Sequence, residues 1–286
     1  MEFQRPDLLT TLKLLQAYGI PVQTILDIGA AEGAFFPLRW QAGIYLKADH
    51  FFIDAMEENK PLYEKVAAHY GGGYEICALA NLNGEIELSI DPGFYNTHIG
   101  GIQPSQTTYG KRRVPVRPLD DVVRAHNLQG PFLVKMDVQG AELDVLRGAT
   151  ETLRQASIVT LEAQVCLFRD TLLDHMAYLR SQGFVLYDIT NLSYYQSDFT
   201  LYQCLATFIP QRLDFRKMAP HSDPAVAEQE RQRLEARRQQ VCQTVEQMCA
   251  TRAAQSPVAN PVHVVVQQSP DSPVNAPSFS SGARPL

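Results

Sequence analysis

No apolar run in this sequence approaches the ~20 residues that a bilayer-spanning helix needs, so no membrane span is expected. An excess of basic residues is missing too: 25 Lys and Arg stand against 31 Asp and Glu, a formal net charge of −6. That balance excludes a bulk field for nucleic acid or an anionic membrane. The local cluster Lys111, Arg112, Arg113 and Arg117 reads as a solvated strand edge. The five cysteines (Cys77, Cys166, Cys204, Cys242 and Cys249) are scattered, with no Cys-x-x-Cys spacing. Neither a zinc knuckle nor a redox pair is indicated, and reduced thiols fit best. The opening residues lack the basic region and apolar run of a secretory signal, and a cytoplasmic location is expected.

What is present is 45% hydrophobic and 20% charged residues, enough for an ordinary core. The first two hundred residues alternate between helical and extended patterns. Asp7 is placed to cap a helix through about Tyr18, with Leu8, Leu12 and Leu15 on one stripe. Thr24–Gly29 and His50–Ala55 are short apolar runs that read as buried parallel strands, and 57–69 looks helical. Tyr74–Ala80 and Glu85–Ile90 flank Asn81-Leu82-Asn83-Gly84, which predicts a hairpin. Residues 91–113 read as a long surface loop, Val114–Val116 as a strand and 119–126 as a helix. Phe132–Val138 is a strand, 141–154 a helix, Ile158–Glu162 a strand, and Asp170 caps a helix to Ser181. Phe184–Ile189 and Leu201–Ile209 form a closing antiparallel pair. The alternation predicts an α/β fold, with a mainly parallel sheet covered on both faces. A domain of residues 1–217 is expected, then a polar helical extension over 218–254 whose single apolar line (Ala227, Leu234, Val241, Met248) makes a poor coiled coil. Residues 255–286 have the composition of a disordered tail.

The segment Asp27-Ile28-Gly29-Ala30-Ala31-Glu32-Gly33 lies where a strand turns into a helix near Ala34. Its glycines let a backbone approach a ligand closely. A dinucleotide fingerprint needs a middle glycine, and Ala31 stands there, which suits a ligand without a pyrophosphate. Asp54 ends the next strand, where a carboxylate accepts hydrogen bonds from ribose hydroxyls. The candidate cofactor contacts are Asp27, Gly29, Ala30, Glu32, Gly33, Asp54, Ala55 and Asn81. Asp27 reads equally as a carboxylate satisfied by loop amides, and Asn81 as a plain turn residue.

The second motif is Val134-Lys135-Met136-Asp137-Val138-Gln139-Gly140-Ala141-Glu142, continuing to Val145-Leu146-Arg147-Gly148-Ala149. Lys135 and Asp137 share one strand face, and charges there are costly unless paired. Asp27, Asp54, Asp137 and Glu162 all fall at strand ends, where open parallel sheets bind ligands. With DIGAAEGAF, Asp54 and VPVRPLDDVV, this motif resembles the FkbM family of methyltransferases over roughly residues 22–210. The resemblance implies a Rossmann-like class I methyltransferase fold with a seven-stranded sheet and S-adenosylmethionine as cofactor. It also implies transfer to a hydroxyl of a carbohydrate, glycolipid or natural-product acceptor. Gly29 and Gly33 would shape the cofactor loop, Asp54 hold the ribose, and Asp137 with Glu142 face the reacting centre. Two positions depart from the family: Gln139 stands where an acid is usual, and Ala31 where a polar residue is usual.

An alcohol nucleophile must lose a proton, and a positioned carboxylate or histidine serves as general base. Asp137 is the first choice, Glu142 the orienter or alternate base, and His98 on the long loop the runner-up. Lys135 would balance charge or pair with a neighbouring strand carboxylate. Three readings separate here: an O-methyltransferase, a nucleotide-dependent enzyme of another class, and a decayed methyltransferase domain presenting 224–254 to a partner. Tyr95, Tyr109, Tyr194 and Tyr195 in candidate substrate loops favour a carbohydrate acceptor. Asp137, Glu142 and Glu162 are of a type that binds Mg²⁺, but no spacing demands a metal.

Overall fold

The computed structural model describes residues 7–90, 98–99, 110–165, 172–216 and 224–255. They fall into two compact units, Met1–Arg216 and Lys217–Leu286. The first holds a seven-stranded sheet. Its centre is β1 (Thr24–Ile28), buried at every position. On one side lie β2 (Asp49–Asp54) and β3 (Gly73–Ile76), both parallel to their neighbours. On the other side lie β8 (Phe132–Met136) and β9 (Ala156–Gln164), again parallel. Strand β11 (Leu201–Pro210) then runs antiparallel to both β9 and the edge strand β10 (Phe184–Tyr194). The order β3-β2-β1-β8-β9-β11-β10 is that of a Rossmann-like class I methyltransferase sheet.

Side-chain alternation explains why both faces are covered. Leu26 and Ile28 point to the face packed by α4 (Leu119–Ala125), α5 (Glu142–Arg147), α6 (Thr150–Gln155) and α7 (Leu172–Ser181). Ile25, Leu133 and Ile158 point the other way, onto α1 (Leu8–Ala17). That helix begins where the Asp7 carboxylate accepts from the Thr10 N–H at 2.7 Å, and it buries Leu8, Leu12 and Leu15 as the stripe predicts. On the same face, α2 (Phe35–Gln41) and α3 (Lys60–Tyr70) enclose an aromatic cluster of Phe36, Phe52 and Tyr63.

Three local expectations are corrected. The hairpin across Asn81–Gly84 does not form. Strand β4 (Ala78–Leu79) and β5 (Gly84–Ile90) lie on either side of β7 (Gly110–Arg117) in a second, four-stranded sheet closed by β6 (His98–Ile99). Residues 110–113 therefore belong to a strand rather than a loop, and their charges pair across it: Lys111 with Glu87 at 2.6 Å, and Arg112 with Glu58 at 2.7 Å. The helix expected over 141–154 is two helices, parted at Gly148-Ala149. A Cβ on Gly148 would stand 2.4 Å from the Ala80 carbonyl oxygen, so only glycine lets the chain pass there.

The second unit contains α8 (Pro224–Gln255), whose described side chains are exposed, Leu234, Val241 and Met248 among them. Arg231 pairs along it with Glu228 and Glu235. The tail from residue 256 lies outside the described residues. No helix among the described residues is long and apolar enough to cross a membrane.

Candidate active site

The carboxyl ends of β1, β2 and β8 surround a cavity of about 230 Å³. The loop leaving β1 forms one wall, through Gly29, Ala30, Ala31 and Glu32. Gly29 sits at φ +66, and a Cβ there would lie 1.8 Å from the Asp137 carbonyl oxygen. The two sequence motifs thus meet backbone to backbone. Ala31 holds a left-handed φ of 47. Its N–H donates to Asp54 Oδ2 at 2.7 Å, and its carbonyl accepts from the Tyr63 hydroxyl at 2.5 Å.

Asp54, buried at the end of β2, also takes the Met56 N–H on Oδ1 at 2.7 Å. A carboxylate offers about four acceptor sites, so two backbone contacts leave it free to accept hydroxyls from the cavity it lines. Burial pushes its pKa up. Ala55 and Met56 after β2, with Leu79 and Leu88 from the small sheet, add an apolar wall.

Beneath the loop lies a buried ionic network. Asp27 is the register partner of Lys135 on β8, and their charges meet at 3.3 Å. Asp27 Oδ2 contacts His50 Nε2 at 3.2 Å, and His50 Nδ1 accepts from Arg39 Nε at 3.0 Å. The arginine donor fixes the tautomer, leaving the Nε2 proton for Asp27. Burial alone would raise Asp27, but Lys135 and His50 outweigh it and hold its pKa below the usual range. Lys135 stays raised despite burial, because of Asp27 and then Asp137. Burial lowers His50, which is neutral.

Beyond β8 and β9, the side-chain amide of Gln139 donates to Asp137 Oδ1 at 2.9 Å and to Glu162 Oε2 at 3.1 Å. The Gln203 amide donates to Glu162 Oε1, and Gln164 contacts Gln203 at 3.4 Å. Burial, then Asp137, pushes Glu162 up to about 8.

Gly29, Ala30, Glu32, Asp54, Ala55, Lys135 and Asp137 come together around the cavity. Asp27 does not reach it; it is fully buried, and its partner is Lys135. Gly33 stands behind the loop, against Leu62. Glu142 also misses the cavity, because its Oε1 accepts from the N–H groups of Val138 and Gly140 and folds the carboxylate back onto its own loop. Burial pushes it up to about 7. Asn81 is exposed beyond the apolar wall, so an adenine contact from it is not supported. His98 lies on β6, but its side chain, like Tyr95 and Tyr109, falls outside the described residues. Sequence reasoning missed Gln203 and His50 as site elements; it marked Gln139 only as a departure from the family, and Glu162 as a strand-end acid of a type that binds Mg²⁺.

The donor set decides what the cavity suits. Glu32, Asp54 and Asp137 line it, and its one lysine is committed to Asp27. An acidic, partly apolar cavity repels a pyrophosphate and suits a cationic nucleoside such as S-adenosylmethionine. Strand order and cavity together define a class I methyltransferase domain. The model of the methyltransferase FkbM domain matches residues 27–186, more than half of the sequence, and the chain belongs to that family, whose cofactor is S-adenosylmethionine.

No curated protein sequence matches. Among solved structures, the chain is similar to the methyltransferase FkbM of Methylobacillus flagellatus, at 16% identity and a TM-score of 0.42. The match covers 64% of this chain but 43% of that one, so this chain spans less than half of that relative's length. It is also similar to the magnesium protoporphyrin IX methyltransferase of Synechocystis solved with bound S-adenosylmethionine, at 14% identity and a TM-score of 0.38, covering 71% of this chain and 79% of that one. A third is a didemethyltoxoflavin N1-methyltransferase of Burkholderia thailandensis, at 13% identity and a TM-score of 0.38, covering 69% and 75%.

Proposed function

We propose that this chain is an S-adenosylmethionine-dependent O-methyltransferase acting on a hydroxyl of a carbohydrate, glycolipid or natural-product acceptor. One observation carries the reading. Asp54, with acceptor sites to spare, and Asp137, with no ion pair among the described residues, line a single cavity.

The bound cofactor supplies a methyl group on a sulfonium. Asp54 takes the ribose hydroxyls, and the loop from Gly29 to Glu32 cradles the rest. Asp137 accepts the proton that the acceptor hydroxyl must lose, a contribution typically worth about 10²–10⁴ in rate. Lys135, tied to Asp27, sets the local potential without entering the chemistry. Gln139 lines the cavity beside Asp137, and its amide ties that acid to Glu162, which Gln203 holds from behind. Residues 1–217 would suffice for this chemistry, leaving 224–254 as the candidate partner helix.

The test is transfer of a labelled methyl group to a panel of mono- and oligosaccharides. Asp137→Asn should cut the rate by about 10²–10⁴ while cofactor binding stays measurable. Cofactor binding with no transfer to any hydroxylated compound would favour the decayed-domain reading, to which the amide at Gln139 lends its support.

A further inference from the structure

The carboxyl beside Asp137 has no task in the mechanism above. Asp137 lines the cavity, whereas Glu162 stands behind it at the end of β9, only 8% exposed. Both Glu162 oxygens are taken by amides, Gln139 on one and Gln203 on the other. One Gln139 NH₂ group clips the two acids together. The two carboxyls are thus held close enough to share one amide group.

Among the described residues, the charged and titratable groups that face Glu162 are Lys135 and Asp137 from β8 and its exit, Glu142 from α5, and Cys204 from β11. Lys135 is the single cation in that set; it pairs with Asp27 at 3.3 Å, and its charge offsets only part of what holds the Glu162 proton. A pair of close carboxyls without a cation of its own keeps one proton.

We propose that Glu162 is a positioning residue that holds a proton for Asp137 and gives it up to solvent when a sulfonium cation occupies the cavity. This rests on the S-adenosylmethionine reading of the cavity. The O–H bond of Glu162 breaks heterolytically, its electron pair stays on the carboxylate, and the proton passes to buffer. Nothing is oxidised or reduced. A positive charge close to a carboxyl lowers its pKa by roughly 1–3 units, and a Glu162 raised to about 8 is poised for such a shift near neutrality. Glu162 becomes anionic only with the methyl donor present, so negative charge is added beside Asp137 when transfer can occur. After transfer the ligand is a neutral thioether, and Glu162 takes a proton back.

The experiment is calorimetric titration of the full chain with S-adenosylmethionine and, separately, S-adenosylhomocysteine. Each is run from about pH 6 to about pH 9 in buffers of different ionisation enthalpy. The cationic ligand should release close to one proton just below pH 8, and the neutral ligand none. The preference for the cation should grow about tenfold per pH unit across that window. Glu162→Gln should bind the cofactor without proton release and with a flat preference, which also excludes Glu142 as the source. Infrared difference spectra of the wild-type chain, one ligand against the other, give a readout that needs no variant. A protonated carboxyl band should disappear with the cationic ligand alone.

Cofactor binding without proton release, release unchanged in Glu162→Gln, or no carboxyl band change would each overturn the proposal and leave the cofactor reading standing. Failure of both ligands to bind would overturn the cofactor reading, and this inference with it.

Discussion

At Gly29 a single missing side chain fastens the cofactor loop to the second motif. An added methyl group meets the Asp137 carbonyl oxygen at 1.8 Å, on a residue already at φ +66. Left-handed backbone costs an alanine about 1–2 kcal/mol, and overpacking adds about 1–3 kcal/mol. Gly29→Ala should therefore destabilise the domain by about 2–5 kcal/mol, read as a lower urea midpoint, and weaken cofactor binding because the loop must lift from β8. The same substitution at Gly19, where a Cβ meets nothing within 4 Å, should leave cofactor binding unchanged. Sequence alone marks Gly29 as a loop glycine and Asp137 as a strand-end acid, but not that they touch. Asp27 shows the same limit. Its position at a strand end is visible in the sequence, whereas the register that sets it opposite Lys135 is a product of the whole sheet.

At the scale of elements, the split between α5 and α6 has a specific support. Asp120, in the VPVRPLDDVV motif, accepts from the Glu151 N–H at 2.9 Å and the Thr152 N–H at 2.8 Å, and from the Thr152 hydroxyl at 2.7 Å. A residue on α4 thus caps the start of α6, satisfying backbone donors that the helix itself cannot. Asp120→Ala should cost about 1–2 kcal/mol, seen in the thermal midpoint, with cofactor affinity unchanged because the cap is remote from the cavity lining. Local patterns revealed most strands and helices, since apolar runs and helical stripes are short-range signals. They failed at 74–90, where an Asn-Gly turn suggested a hairpin. There β7, some thirty residues downstream, inserts between β4 and β5, and no short-range pattern carries that pairing. The site suffered likewise: its amides come from the loop after β8 and from β9 and β11, brought together only by strand order.

For the molecule as a whole, the buried acids set how stability varies with pH. Glu142 and Glu162 hold folded pKa values of about 7 and about 8, against an ordinary 4.5. Above the ordinary value the unfolded chain has lost both protons while the folded form keeps them, so stability falls as pH rises. Each retained proton contributes a slope of about 1.4 kcal/mol per pH unit. His50 acts oppositely. Its folded pKa lies below 6.5, so its neutral form costs stability only as pH drops beneath that value, where it offsets one of the two glutamates. Asp27, held low, loses its contribution only in stronger acid. Between pH 6.5 and about pH 8.5 the glutamates act alone, and stability should drop by about 2–3 kcal/mol. Urea midpoints across that range test the figure, and a flat profile would mean that neither acid keeps its proton. Glu162→Gln should remove most of the fall, because a neutral amide has nothing to titrate. Saturating S-adenosylmethionine should flatten the wild-type profile as well, since a folded state that has released the Glu162 proton no longer differs from the unfolded chain at that group. S-adenosylhomocysteine, lacking the charge, should raise the midpoints without changing their slope.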